Sequence, residues 1–206
     1  MKTQLDIEKW TRHNHFEFFK QFEEPFFGIC VDIDCTKSYA KCKSEGISFF
    51  LYYLYKSLVA ANKIEPFRYR IENENVFIYD KVLASPTIDR PDGTFGFSRI
   101  DYYEDFQMFN LEAKKVIEKV RNSKELFPAV SDENVIHYSS LPWINFKSVS
   151  HARSFSFKDS CPKITFGKIS EHDNVKKMPI SIHVHHALMD GIHVGQFIDE
   201  FQNQMI

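Results

Sequence analysis

The sequence predicts an α/β fold: a two-layer sandwich in which a mixed β-sheet carries helices packed on one face. Two observations lead there. Apolar residues alternate with polar ones in several short, separated segments, the period of a half-buried strand. In three longer segments they recur at spacings of three and four, the period of an amphipathic helix. The 206 residues can bury a full core without staples, and no repeat, linker or low-complexity tract divides them. Residues 1–206 are therefore expected to form one domain.

In chain order, Glu24-Pro25 leads into Phe27, Ile29, Val31 and Ile33, a strand. Ile47, Phe50, Leu51, Leu54, Tyr55, Leu58 and Val59 line one side of a helix. Tyr69–Ile71 and Val76–Tyr79 flank Glu72-Asn73-Glu74-Asn75 and form a hairpin. Phe106, Phe109, Ala113, Val116, Ile117 and Val120 make a second helix, ended before Phe127-Pro128. Further strands are expected at Ile144–Phe146, Ile164–Phe166 and Ile180–His185. Val194, Phe197, Ile198 and Phe201 make the last helix, after a glycine turn.

Apolar residues make up 43% and charged residues 26%, with a formal charge of −2. That lacks the basic excess of a nucleic-acid binder, and no apolar run reaches the ~18 residues of a membrane span. The 21 Phe and 9 Tyr supply flat aromatic walls, most of them core. Met1-Lys2-Thr3-Gln4-Leu5-Asp6 is polar where a secretory leader needs an apolar stretch. Cys30, Cys35, Cys42 and Cys161 show no CxxC spacing, which fits reduced thiols in the cytoplasm.

Chemistry concentrates at His185-His186-Ala187-Leu188-Met189-Asp190-Gly191. A histidine titrating near neutrality is the usual general base for a hydroxyl. The alternation of Ile180-Ser181-Ile182-His183-Val184-His185-His186 puts His186 with the apolar residues, inward, and His185 with Ser181 and His183. A metal is disfavoured: His183, His185 and His186 split between two strand faces, and no Cys or Glu stands at ligand spacing. A core histidine of purely structural role fits the spacing equally well.

Four segments in order decide between them. Trp10-Thr11-Arg12-His13-Asn14-His15-Phe16-Glu17-Phe18, Leu126-Phe127-Pro128, Ser139-Ser140-Leu141-Pro142-Trp143-Ile144-Asn145-Phe146 and His185 through His193 resemble the signatures of the chloramphenicol acetyltransferases. The resemblance runs from Trp10 to the C-terminus. It implies transfer of acetyl from acetyl-CoA to a hydroxyl, by a homotrimer with sites at subunit interfaces. It further implies His186 as general base, an Arg12–Asp190 ion pair holding its loop, and Ser139 as donor to the tetrahedral oxyanion. Thr165 would assist through a bound water. Phe19, Phe95, Phe127 and His151 would line the acceptor pocket, and Lys168 would meet the coenzyme's 3′-phosphate. Neither nucleic acid, membrane nor metal is implied. His193 is expected to be structural.

Departures concern the acceptor. His183 and Ile192 replace the family's usual glutamine and aromatic residue, and Phe19 stands where a tyrosine is common. His151 and Arg153 fall where apolar lining is expected. Acetyl transfer is thus better supported than chloramphenicol as its acceptor. The alternatives are transfer to a different hydroxylated acceptor and a non-catalytic trimer that binds aromatic small molecules.

Overall fold

The computed structural model describes residues 1–127, 133–154 and 158–206. Strand β1 (Lys2–Gln4) is followed by helix α1 (His13–Phe19), strand β2 (Phe26–Asp34) and helices α2 (Thr36–Ser44) and α3 (Phe49–Lys63). Strands β3 (Tyr69–Glu72), β4 (Asn75–Tyr79), β5 (Leu83–Asp89) and β6 (Phe95–Phe97) come next, then helix α4 (Phe106–Arg121). The chain closes with β7 (Val135–Ser140), β8 (Lys163–Phe166), β9 (Ser170–His172), β10 (Val175–His185) and α5 (Gly191–Met205).

Local chemistry explains several boundaries. The Ser48 hydroxyl accepts from the Leu51 amide at the start of α3, and the Asp105 carboxylate from the Met108 amide at the start of α4. The β3–β4 hairpin turns through Asn73 and Glu74, both with positive φ, the twist that a two-residue hairpin requires. Asp173 and Asn174 repeat the device between β9 and β10.

Two sheets result. A small one runs β1-β4-β3; the larger runs β2-β10-β8-β7-β5-β6, with β9 beside β8 on the same edge of β10. The larger sheet is mixed: β5, β7 and β8 are parallel, and the other pairs are antiparallel. One of its faces is apolar. Phe166 there meets Tyr53 of α3 and Phe201 of α5, and Ile164, Ile180, Ile182 and Val184 are fully buried.

The opposite face is polar: Thr165, Ser181 and Lys163 are buried there, and His137, Ser139, His183 and Cys30 are half-buried. Register puts Ser139, Thr165, Ser181 and Cys30 in one row across β7, β8, β10 and β2. His137, Lys163, His183 and Gly28 make the next. The His183 ring lies across β2, and a Cβ on Gly28 would collide with it unless the ring shifted.

Two sequence expectations fail. Residues 144–146 form no strand: after Pro142 the chain turns, with the Ile144 amide donating to the Leu141 carbonyl, and Ile144 is exposed. The period-two rule also misassigned the histidine pair. Both faces of β10 are covered, so alternation cannot separate inside from outside. His185 is the buried one, at 6% exposure, while the His186 side chain keeps 34%.

Candidate functional site

Two clusters of chemically active side chains stand out. The first surrounds the turn between β10 and α5. Arg12, at the head of α1, reaches across to it with both terminal nitrogens. One guanidinium nitrogen pairs with Asp190 Oδ2; the other donates to Oδ1 and to the His186 carbonyl, each at 3.0 Å. Bidentate geometry of this kind fixes orientation as well as distance. Burial alone would raise the Asp190 carboxyl, but the hydrogen bonds and charge of Arg12 outweigh it and hold it below the ordinary carboxylate range.

His186 follows the last residue of β10, and its amide donates to the Pro25 carbonyl. Phe19 stacks on its ring at 4.0 Å and 7°, and Phe27 leans against it at 4.6 Å. The ring is thereby held in one plane while remaining one-third exposed. Its Nδ1 lies 3.4 Å from Asp190 Oδ1 without hydrogen-bond geometry. The two neighbouring histidines are differently employed. His185 Nδ1 accepts from the Ala187 amide, and burial pushes its pKa down to about 4. His193 Nδ1 accepts from the Asp190 amide and caps α5; burial lowers it, aided by Arg12.

The second cluster lies on the polar face of the larger sheet. Ser139, at the end of β7, pairs in register with Thr165, whose Oγ1 is buried without a partner. A cavity of about 1560 Å³ opens beside Ser139 and is lined also by Phe95, Trp143 and Lys168. That exceeds the ~300–1,000 Å³ of common small-molecule pockets, so a long, extended ligand has room. Lys168 is exposed. Phe127 stacks on Phe97, which meets Phe95 edge-on; Phe95 and Phe127 are exposed. Pro128 of that motif lies outside the described residues.

The two clusters do not meet within one chain. Thr165 pairs with Ser181, five residues before His186, so ~17 Å of strand separates them. His151 and Arg153 are both engaged by neighbouring side chains. His151 meets the His183 ring edge-on at 4.7 Å, and burial pushes its pKa down to about 4. Arg153 is paired with Glu24 and lies 3.9 Å over the Phe26 ring. Its charge is already matched.

Three residues on this face escaped the sequence reading: His137, Lys163 and Asp159. For His137 and Lys163 the signal is a polar residue at every second position of β7 and β8, visible only once β7 is a strand; Asp159, in the loop before β8, carries no such signal. Lys163 pairs with Asp159, and the ligand atoms of His137, Asp159 and Cys161 lie within 4.8 Å of one another. That trio suits a metal poorly. The Lys163 ammonium already occupies the Asp159 carboxylate, and the Cys161 thiol donates to the Glu133 carbonyl, so two of the three groups are engaged.

Comparison with known proteins now places the chain. A chloramphenicol acetyltransferase family model matches residues 1–202. The chain belongs to the chloramphenicol acetyltransferase family. Chloramphenicol acetyltransferase 3 of Escherichia coli is 30% identical over 203 residues, covering 97% of this chain and 95% of the relative. The Proteus mirabilis chloramphenicol acetyltransferase is 29% identical over 199 residues, covering 96% and 92%. A solved chloramphenicol acetyltransferase structure superposes with a TM-score of 0.92 at 31% identity, covering all of both chains. An Azotobacter vinelandii dihydrolipoamide acetyltransferase shares the fold alone, at 15% identity and a TM-score of 0.69 over 93% of this chain and 85% of its own. Family membership and the mixed α/β fold are thus established together.

Proposed function

We propose that the protein is an O-acetyltransferase that moves acetyl from acetyl-CoA to an alcohol, with chloramphenicol as the family's acceptor. In this reading, His186 takes the proton of the acceptor hydroxyl as the oxygen attacks the thioester carbonyl. Ser139 donates to the oxyanion that forms, with Thr165 beside it. The C–S bond then breaks, and the departing thiolate receives the proton from His186. One oxyanion donor contributes about 3–4 kcal/mol to such a step. Among the described residues no Ser or Cys stands beside His186 as a nucleophile, so in this reading attack is direct, with no acyl-enzyme.

A single observation carries the reading: Arg12 grips both Asp190 and the His186 carbonyl, while Phe19 holds the imidazole in plane. That is the preorganisation a general base needs. Arg12 and Asp190 are positioning residues here and exchange no proton with substrate. Phe19, Phe95, Phe127 and His151 bound the acceptor, and Lys168 meets the 3′-phosphate of the coenzyme at the mouth of the cavity.

The ~17 Å between His186 and the Ser139–Thr165 pair supports a homotrimer in which one chain's His186 faces the next chain's serine. Each subunit would be a single two-layer domain, helices on one side of the sheet. No described helix is long and apolar enough to cross a membrane. With four free thiols, three of them buried, we assign the protein to the cytoplasm, with no nucleic-acid partner.

The test is thiol release from acetyl-CoA with chloramphenicol. His186→Ala should lose on the order of 10²–10⁴-fold or more in rate with the assembly unchanged, while His185→Ala keeps most of the activity. A dead His185 variant beside a live His186 variant sinks the assignment. Light scattering that gives a monomer mass for active protein sinks the shared site.

A further inference from the structure

The polar face of the larger sheet holds more ionisable chemistry than the proposed reaction uses. His137 and Lys163 stand two residues before Ser139 and Thr165 on the same strands, hence on the same face and ~7 Å away. His183 extends their row, and His151 packs edge-on against it from the loop above. A buried strand face would ordinarily be apolar. Here the residues that flank the proposed oxyanion pair are two histidines and a lysine.

Two buried polar atoms on this face have no partner: Thr165 Oγ1 and His151 Nε2. An unsatisfied buried group costs about 1–3 kcal/mol, so something that supplies hydrogen bonds is expected to sit there. The charges are already balanced. Asp159 neutralises Lys163, and Glu24 neutralises Arg153. His137 and His151 are held neutral, chiefly by burial and then by surrounding cations. The wall therefore attracts neither an anion nor a cation, but offers donors and acceptors in close array. A neutral hydroxyl, donor and acceptor at once, suits an imidazole in either tautomer.

We propose that His137, His151 and Lys163 form an acceptor-selecting wall beside Ser139 and Thr165, and that the preferred acceptor is a neutral, hydroxyl-rich small molecule rather than a nitroaromatic one. This rests on the proposed acetyl transfer at Ser139 and His186, and narrows its acceptor. A nitrophenyl group offers this wall only weak acceptors and no donor, so the acceptor nitrogens of neutral imidazoles facing it go unpaired.

The experiment compares chloramphenicol with a panel of neutral polyols and methyl glycosides, by thiol release and by calorimetric binding. The unaltered protein should show a higher kcat/KM for a panel member than for chloramphenicol. His151→Leu, alone and with His137→Leu, should raise KM for that polyol and lower it for chloramphenicol, each about tenfold. KM for acetyl-CoA should not move. His151→Gln, which keeps a hydrogen-bonding group, should retain the polyol preference and serves if a leucine variant fails to fold. If chloramphenicol is the better acceptor of the unaltered protein, the proposal is overturned. It is also overturned if the leucine variants keep the parent's ratio. Absence of thiol release with every acceptor would instead refute acetyl transfer. The calorimetric arm then decides on the wall separately: polyol binding weakened by His151→Leu upholds it, and no polyol binding overturns it.

Discussion

Lowering the pH from 7.5 to 5 should destabilise this fold far more than an ordinary protein of its charge, because its buried histidines must be neutral. Burial, with Lys163 and Arg153 nearby, pushes His137 and His185 each from 6.5 to about 4. A histidine with a lowered folded pKa stabilises the native state above its unfolded pKa. That contribution is lost as pH falls from 6.5 toward 4. At pH 5 an unfolded histidine is protonated about thirtyfold over its neutral form, whereas one at about 4 is protonated only about one-tenth as often as neutral. The difference is about 2 kcal/mol per residue, or about 4 kcal/mol for the pair, against a total stability of about 5–15 kcal/mol. His151, more exposed, adds in the same direction. Urea unfolding at both pH values measures the loss. His185→Asn isolates one share, since its amide oxygen can still accept from the Ala187 amide and does not titrate. Its loss between pH 7.5 and 5 should be smaller by about 2 kcal/mol. If parent and variant lose equally, His185 is not held neutral and the reasoning is refuted.

Gly28→Ala should cost about 1–3 kcal/mol, since the new methyl meets the His183 ring; adding His183→Ala should recover much of the loss. A thermal melt of Gly28→Ala matching the parent would show that the ring has room to move. Asp190→Asn strands the Arg12 guanidinium and should cost roughly 2–3 kcal/mol, at the low end for shielded pairs because Asp190 is one-third exposed. Activity should fall with it, and strict additivity with Arg12→Ala would mean the two residues do not interact. Because the Asp190 carboxyl is held low, the stability gap between parent and Asp190→Asn should narrow as pH drops into the acid range. Among the thiols, Cys30 should react first with a thiol reagent. Cys35 and Cys161, pushed up to about 12 by burial, should react only on unfolding; early labelling of Cys161 in native protein would contradict that.

Where one periodicity dominates, the sequence was readable. The apolar stripes of α3, α4 and α5 and the alternation of β2 announced themselves, as did the Asn73-Glu74 turn. Failures came where burial removed the contrast. On β10 both faces are covered, so the polar–apolar alternation marks two kinds of interior, and the histidine phase misleads. Strand β5 holds Pro86, and β7 reads Val-Ile-His-Tyr-Ser-Ser, a pattern in which buried polar residues mimic a surface. The site divided likewise. Arg12, His186 and Asp190 were legible from motif order. The row of His137, Lys163 and His183 was not, because it exists only once three strands are in register.

The Arg12 contacts have a consequence for biosynthesis. Their partners lie 174 and 178 residues further along the chain, so the grip on the imidazole waits until both distant segments have been synthesised. A nascent chain cannot orient His186 in this way until residue 190 has left the ribosome. Bringing such distant segments together is also entropically slow. Chemical competence therefore arrives only with the completed core, because α5, with Val194, Phe197 and Phe201 fully buried, follows the loop that Arg12 grips.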